Sequence, residues 1–179
     1  MERNITLIAL FAALIAALAM LPKLMLASGV PITAQSLGIM LCGTILGAKR
    51  GALAVVLYLA LAAAGLPILA GGKGGLAPFV GITGGYLAGF VAAAFVTGLL
   101  AQAWRAKGGF VWPTVAAVIG GIVVLHILGI IGMAASANVS LLTASGWAVP
   151  FLIGDAIKAV LAGLITYAVM RARPNLAQA

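Results

Sequence analysis

The segment "TGGYLAGFVAAAFVTGLLAQAW", Thr83–Trp104, runs for 22 residues without a charged side chain. About 20 apolar residues in a helix are enough to cross the hydrocarbon core of a bilayer. The rest of the chain has the same character, because 65% of its 179 residues are hydrophobic and only 7% are charged. A soluble domain carries roughly 25% charged residues. The sequence therefore predicts an integral membrane protein, with one domain spanning residues 1–179.

Five further apolar stretches flank this segment, and prolines, glycines and pairs of basic residues separate most of them. The predicted membrane spans are 5–21, 32–48, 51–66, 83–104, 112–133 and 149–170. The longer connections are the loops 22–31, 67–82 and 134–148. We therefore predict an all-α membrane protein built as a six-transmembrane-helix bundle.

The basic residues are divided unequally between the two sides of this predicted bundle. With six spans both termini lie on one side, together with Arg3, Lys49, Arg50, Arg105, Lys107, Arg171 and Arg173. Only Lys23 and Lys73 fall in loops on the other side. Because cytoplasmic loops are enriched in Lys and Arg, both termini are predicted to be cytoplasmic and the three long loops to face outward. The basic residues are scattered rather than gathered on one face, which argues against a nucleic-acid partner.

The stretch "VPFLIGDAIKAV", Val149–Val160, places two charges near the outer end of the sixth span. Asp155 is the only acid besides Glu2, and Lys158 follows three residues later on the same helix face. Ionisable residues at membrane depth mark substrate or ion pathways. The two residues therefore either neutralise each other, with Asp155 capping the helix, or hold a polar ligand from the outer face. With one acid and one base, a proton relay is disfavoured.

The single histidine and the single cysteine do not form a metal or catalytic pattern. His126 lies in the middle of the fifth span and is expected to bond to a neighbouring helix, while Cys42 is expected to pack. A zinc site needs three or four N, S or O ligands, and no nucleophile motif surrounds Ser140 or Ser145. The sequence thus predicts neither an enzyme nor a resident metal.

The stretch "GLPILAGGKGGLAPFVGITGGYLAGF", Gly65–Phe90, interrupts the apolar chain with glycines. No nucleotide-binding signature fits, because the required βαβ context and P-loop spacing are missing. Non-helical backbone at membrane depth is tolerated where it is buried or lines a cavity. The run at 71–75 therefore predicts a re-entrant loop over a binding pocket, the alternative being a floppy outer loop.

Small residues also recur at every fourth position in two spans. Gly81, Gly85 and Gly89 do so at the start of the fourth span, and Ala9, Ala13 and Ala17 do so on the first. Such ladders mark faces where helices pack closely in lipid. The partner is either another helix of this chain or another membrane subunit, and the alanine stripe is the better candidate for the second.

Three stretches together resemble one family of membrane proteins. They are "VPITAQSLGIMLCGTILGAKRGALAVVLYLALAAAGLPILAGG", "GGLAPFVGITGGYLAGF" and "FLIGDAIKAVLAGL". They resemble the BioY family, the biotin-binding S-components of energy-coupling-factor (ECF) transporters, and the resemblance runs from about Ala9 to Ala168. The Thr83–Phe90 block and the Gly154–Lys158 block are its most specific parts. Ile82 departs from the family pattern, where a proline is expected.

The resemblance implies a six-helix S-component that takes up biotin across the bacterial cytoplasmic membrane. It implies a biotin site near the outer face formed by Asp155, Lys158, Thr33, Gln35, Gly74, Gly75, Gly84 and Tyr86. It also implies that Ala9, Ala13 and Ala17 dock on a membrane coupling subunit, and that two separate ATPase subunits hydrolyse ATP. The chain would then be no enzyme and would need no cofactor, with biotin and membrane lipid as its small-molecule partners. Alternatives are an S-component for another small vitamin and a stand-alone ion-coupled carrier; the role of Lys73, the biotin group that Lys158 meets and a homo-oligomeric state stay open.

Overall fold

The fold was examined in a computed structural model, which describes residues 2–22, 24–25 and 31–173. In chain order its elements are α1 (Glu2–Ala19), β1 (Leu24–Met25), β2 (Pro31–Ile32), α2 (Gln35–Leu46), α3 (Ala48–Ala63), α4 (Ala77–Val80), α5 (Gly84–Ala103), α6 (Val111–Val118), α7 (Leu125–Ala137) and α8 (Leu141–Ala172). A 3₁₀ turn at Arg105–Lys107 follows α5, and a π-helical segment at Ile119–Val124 joins α6 to α7. The strands β1 and β2 pair antiparallel across the first loop. Lys23 lies outside the described residues.

The helices form the predicted membrane bundle, in which α6, the π segment and α7 make one continuous rod. Each of the six predicted spans overlaps one helix of the bundle, if this continuous unit is counted as one helix. In the described part of the chain, four helices are long and apolar enough to cross a membrane: Glu2–Ala19, Gly84–Ala103, Val111–Ala137 and Leu141–Ala172. The helix α2 is apolar but has only 12 residues. It is nevertheless buried along almost its whole length, because it packs against α5, α3 and α8 at the centre of the bundle.

A single glycine separates α2 from α3, where the sequence had suggested that the pair Lys49-Arg50 would do so. Gly47 has φ +81°, a backbone conformation that favours glycine. A Cβ atom there would lie 2.5 Å from Nε2 of Gln102. The Gln102 side chain in turn accepts a hydrogen bond from the Ala48 N–H at 3.1 Å. Lys49 and Arg50 therefore lie inside the first turn of α3 rather than in a loop.

The eighth helix begins earlier than the sequence predicted. Ser140 caps it, because its Oγ accepts the N–H of Thr143 at 3.1 Å. Most of the predicted loop 134–148 is therefore helical. Asp155 lies 14 residues after the first residue of α8, about 21 Å along the axis. The acid is thus in the middle of a long helix and does not cap its N-terminus, which corrects the expectation that Asp155 caps the helix.

The glycine ladder packs inside the bundle. A Cβ atom on Gly85 would lie 2.6 Å from the Cα of Gly132 in α7, and one on Gly89 would lie 3.2 Å from the side chain of Leu125. Gly81 lies outside α5, in the turn that follows α4, so the helical ladder consists of two glycines. Their role is the close approach of α5 and α7 within this chain.

The alanine stripe of α1 lies on the outer surface of the bundle. Ala9, Ala13 and Ala17 are exposed. The opposite face of the same helix, with Ala12, Ile15 and Ala19, is buried against the rest of the chain. The structure therefore leaves this face of small residues open along α1.

Candidate functional site

A cavity of about 90 Å³ lies at the end of the bundle where α2 and α5 begin. Its walls come from the start of α2, the loop between α3 and α5, and the helices α5, α7 and α8. The lining residues are Thr33, Gln35, Ser36, Leu69, Ala70, Lys73, Pro78, Thr83, Tyr86, Leu87, Phe90, Leu125, Phe151, Asp155 and Lys158. Five of the eight predicted ligand-binding residues therefore meet here: Thr33, Gln35, Tyr86, Asp155 and Lys158.

Asp155, which is buried, and Lys158, which is partly buried, form an ion pair in the wall of this cavity. The Lys158 Nζ lies 2.9 Å from Asp155 Oδ1, as the spacing of three residues predicts. The same ammonium donates to the backbone carbonyl of Thr33 at 2.6 Å and to the Oγ of Ser36 at 2.9 Å. An ammonium has three N–H donors, so all three are used within the chain. Lys158 therefore positions Asp155 and the first residues of α2.

The two oxygens of the Asp155 carboxylate have different surroundings. Oδ1 accepts from Lys158 and from the Ser36 hydroxyl at 2.8 Å. Oδ2 has no hydrogen bond within the described residues, and the Nε2 atom of His126 lies 3.6 Å from it. Since Asp155 is only 4% exposed, this oxygen depends on a ligand or a water for its partner. One half of the carboxylate is fixed by the protein and the other half is available.

His126 stands behind the carboxylate and differs from the sequence expectation. Its Nδ1 bonds to the carbonyl of Ile122 at 3.0 Å, which lies four residues earlier in the same continuous helix and not on a neighbouring one. Because a carbonyl only accepts, Nδ1 carries the hydrogen, and Nε2 of the neutral ring is an acceptor. This Nε2 is buried without a hydrogen-bond partner in the described chain. The Nε2 of His126 and the Oδ2 of Asp155 thus lie 3.6 Å apart, too far for a hydrogen bond between them.

Aromatic rings form the apolar wall of the cavity. The ring of Tyr86 meets that of His126 edge-on at a centroid distance of 5.8 Å and lies 6.1 Å from the ring of Phe151. The Tyr86 hydroxyl is buried and has no hydrogen-bond partner within the described residues. The cavity therefore combines apolar ring faces with a few unpaired polar atoms, as small-molecule sites do.

A chain of hydrogen bonds connects the first loop to the loop 64–76 between α3 and α4, called here the glycine-rich loop. The Thr33 hydroxyl donates to Gln35 Oε1 at 3.0 Å, and Gln35 Nε2 donates to the hydroxyl of Tyr58. That hydroxyl donates to the backbone carbonyl of Ile68 at 3.0 Å. Tyr58 is fully buried in α3. Its role could not be predicted from the sequence, because nothing in its apolar helix distinguishes Tyr58 from a packing residue.

The glycine-rich loop is folded rather than floppy. The N–H of Leu69 donates to the carbonyl of Lys73 at 2.9 Å, and the N–H of Gly75 donates to the carbonyl of Ala62 at 2.8 Å. Leu69 is buried and lines the cavity, while Lys73 is exposed at its rim. The loop therefore covers the cavity with Leu69 and places Lys73, which the sequence could not assign, at the mouth.

Three of the predicted ligand-binding residues are glycines that do not line the cavity: Gly74 and Gly75 lie in this loop, and Gly84 begins α5. Gly75 has φ +78°, and a Cβ atom on Gly74 would collide with the backbone carbonyl of Leu66. A Cβ atom on Gly84 would likewise collide with the carbonyl of Phe79. Neither these glycines nor their neighbours at 71 and 72 are among the described residues that line the cavity. Their contribution is to let the backbone turn tightly above the pocket.

The sequence matches the BioY family over residues 2–175. It is 48% identical to the "Biotin transporter BioY" of Rhodobacter capsulatus over 184 aligned residues, which cover 98% of this chain and 97% of the relative. It is also 48% identical to the "Biotin transporter BioY" of Rhizobium etli, with 97% and 96% covered. The chain belongs to the BioY family.

The shape of the molecule agrees with this BioY family membership. It superposes with a TM-score of 0.90 on a crystal structure described as the S-component for biotin from an ECF-type ABC transporter. The two sequences are 32% identical, and the match covers 95% of this chain and 92% of the other. The resemblance stated from the sequence is confirmed, as is the predicted helical membrane fold.

Proposed function

We propose that this BioY family chain binds biotin in the cavity beside Asp155 and is the substrate-specific subunit of an ECF-type transporter. The relatives named above support biotin as the ligand. The observation that carries the proposal concerns the Asp155 carboxylate, which lines an aromatic-walled cavity. Its Oδ1 accepts two hydrogen bonds, whereas its Oδ2 accepts none from the described residues. The ureido ring of biotin supplies two N–H donors on an otherwise apolar bicycle, which matches this need.

The positions of the lysines suggest how the two ends of biotin are placed. Lys158 has all three donors engaged inside the protein, so its role is to hold Asp155 and Thr33 in place. The ammonium of Lys73, at the mouth of the cavity, makes no hydrogen bond or ion pair with the described residues. Its positive charge therefore suits the tail carboxylate of biotin. The ureido ring then lies deep against Asp155, and the tail points to the rim under the glycine-rich loop.

The orientation in the bacterial cytoplasmic membrane follows from the distribution of charge. The end of the bundle opposite the biotin cavity carries Arg50, Arg105 and Arg171, and Arg50 bonds to Asn4 near the N-terminus at 3.4 Å. Lys and Arg favour the cytoplasmic side. The cavity therefore opens outward and both termini lie in the cytoplasm.

The partners are a membrane coupling subunit and two ATPase subunits, which supply the ATP hydrolysis that this non-enzymatic chain does not perform. The open face of Ala9, Ala13 and Ala17 supports a docking role, because small side chains let another helix approach closely in lipid. No cofactor enters this scheme, and biotin is the transported ligand.

The test is to purify the protein and identify the co-bound small molecule by mass spectrometry, followed by calorimetric titration with biotin. We expect biotin as the bound molecule and saturable binding at a ratio of one. A different vitamin would overturn the biotin assignment. Uptake into ATP-depleted vesicles driven only by an imposed ion gradient would instead show a stand-alone carrier.

A further inference from the structure

A second and larger cavity lies at the basic end of the bundle. It measures about 360 Å³ and opens between the C-terminal ends of α5 and α8, the 3₁₀ turn and the start of α6. The helices α2, α5 and α8 each contribute residues to this cavity and others to the biotin cavity. The two cavities are therefore at opposite ends of the same three-helix core.

The lining of this second cavity separates into a cationic part and an apolar part. The cationic part contains Arg105 and Arg171, with the hydroxyl of Tyr167 3.4 Å from Arg171 Nη1. The apolar part includes Ala101, Pro113 and Met170. A guanidinium is a planar fork of donors that matches a phosphate and is weakly hydrated. The cavity thus offers donors for an anion beside a wall suited to a hydrocarbon chain.

The charge balance at this end leaves an excess of cations. The whole sequence has ten Lys and Arg residues but only two acidic side chains, Glu2 and Asp155. Asp155 lies in the biotin cavity and pairs there with Lys158. Among acidic side chains only Glu2 is left to offset the basic residues at this end, and they outnumber it. This excess of positive charge favours an anionic ligand.

The surrounding aromatic rings place the cavity at the membrane surface. The rings of Trp104 and Trp112 lie 5.6 Å apart, and the Lys107 ammonium lies 3.8 Å from the centroid of Trp112. Tryptophan is enriched where the hydrocarbon core meets the headgroups. Trp104 also lines the cavity. We therefore expect the cationic part of the cavity, Arg105 and Arg171, at the depth of the lipid phosphates.

We propose that this cavity is a binding site for the phosphate of an anionic phospholipid, with Arg105 and Arg171 as its ligands. The glycerol and the start of an acyl chain then lie along Pro113 and Met170. Basic pockets between membrane helices on the cytoplasmic side bind anionic headgroups in this manner. The site does not depend on biotin, since none of its residues lines the other cavity.

The test measures phospholipid retained by the full-length protein in native mass spectrometry, after titration with dioleoylphosphatidylglycerol or dioleoylphosphatidylcholine. We expect preferential retention of phosphatidylglycerol by the unaltered protein. Arg105→Gln and Arg171→Gln should each weaken that retention roughly fivefold, the effect of one basic residue near an anionic surface. The matched control is Arg173→Gln. It removes the same charge only two residues from Arg171, and Arg173 does not line the cavity.

Equal retention of the two lipids by the unaltered protein would overturn the proposal, and this result needs no variant to fold. Equal losses in the Arg171→Gln and Arg173→Gln proteins would also overturn it, because the effect would then be one of general charge. Displacement of the lipid by millimolar inorganic phosphate would assign the site to free phosphate instead. Biotin binding by each variant shows that it is folded.

Discussion

Replacing Asp155 by asparagine should weaken biotin binding by a factor of about 10 to 150. The carboxylate Oδ1 holds Ser36 and Lys158, and Oδ2 is the oxygen left for a ligand N–H. A hydrogen bond to a charged group contributes about 1.5–3 kcal/mol, and each 1.4 kcal/mol is a factor of ten in the dissociation constant. Asparagine is nearly isosteric but turns one of the two acceptor oxygens into a donor.

The assay is isothermal titration of the purified protein with biotin, beside a thermal unfolding scan. The scan is needed because the Asp155→Asn substitution would leave Lys158 without its counter-charge, which also destabilises the fold. Ser36→Ala is the matched control, since it removes a donor from Oδ1 but leaves Oδ2 free, and we expect a loss of less than tenfold. An unchanged dissociation constant for folded Asp155→Asn protein would refute the role of the carboxylate as ligand acceptor.

Four further changes test other parts of the structure. Lys73→Ala should weaken binding of biotin up to about fivefold, as expected for an exposed ion pair, but should leave binding of biotin amide unchanged in the same titration. Tyr58→Phe should lower the free energy of unfolding by about 1–3 kcal/mol in denaturant melts, because it leaves the buried amide of Gln35 and the carbonyl of Ile68 without their shared partner. Gly85→Val should lower the melting temperature by overpacking α5 against α7. Gly146→Ala should not, because a Cβ atom there would meet no described residue of another element within 4 Å. Ala13→Leu should abolish biotin uptake in cells while the purified protein still binds biotin; unimpaired uptake would remove the alanine stripe from the coupling interface.

The membrane fold and the central ion pair could be predicted because both depend on local sequence. A run of apolar residues identifies a span by length alone, and a spacing of three places two side chains on one helix face. Asp155 and Lys158 illustrate this, since the structure joins them at 2.9 Å. The family resemblance rested on similarly local blocks and is confirmed by the match over residues 2–175.

The partners of that ion pair could not be predicted, because they depend on tertiary packing. Ser36 lies 119 residues before Asp155 and has no motif of its own. The break at Gly47 was missed because it depends on a backbone conformation and on the side chain of Gln102. Gly74 was predicted to bind the ligand; it does not line the cavity, and a side chain there would collide with the carbonyl of Leu66. A glycine pattern identifies close approach but not the group that approaches.

The hydrogen bonds at the site suggest why a charged pair is retained inside an apolar bundle. Buried ion pairs often stabilise a fold no better than apolar residues would, so stability alone does not explain Lys158. Its ammonium joins Asp155 to the carbonyl of Thr33, and from there bonds continue through Gln35 and Tyr58 to the backbone of the glycine-rich loop. The carboxylate proposed to receive the ligand is therefore connected to the glycine-rich loop. A ligand that bonds to Oδ2 completes this network, and occupancy of the cavity should stabilise the loop in the position that the structure shows.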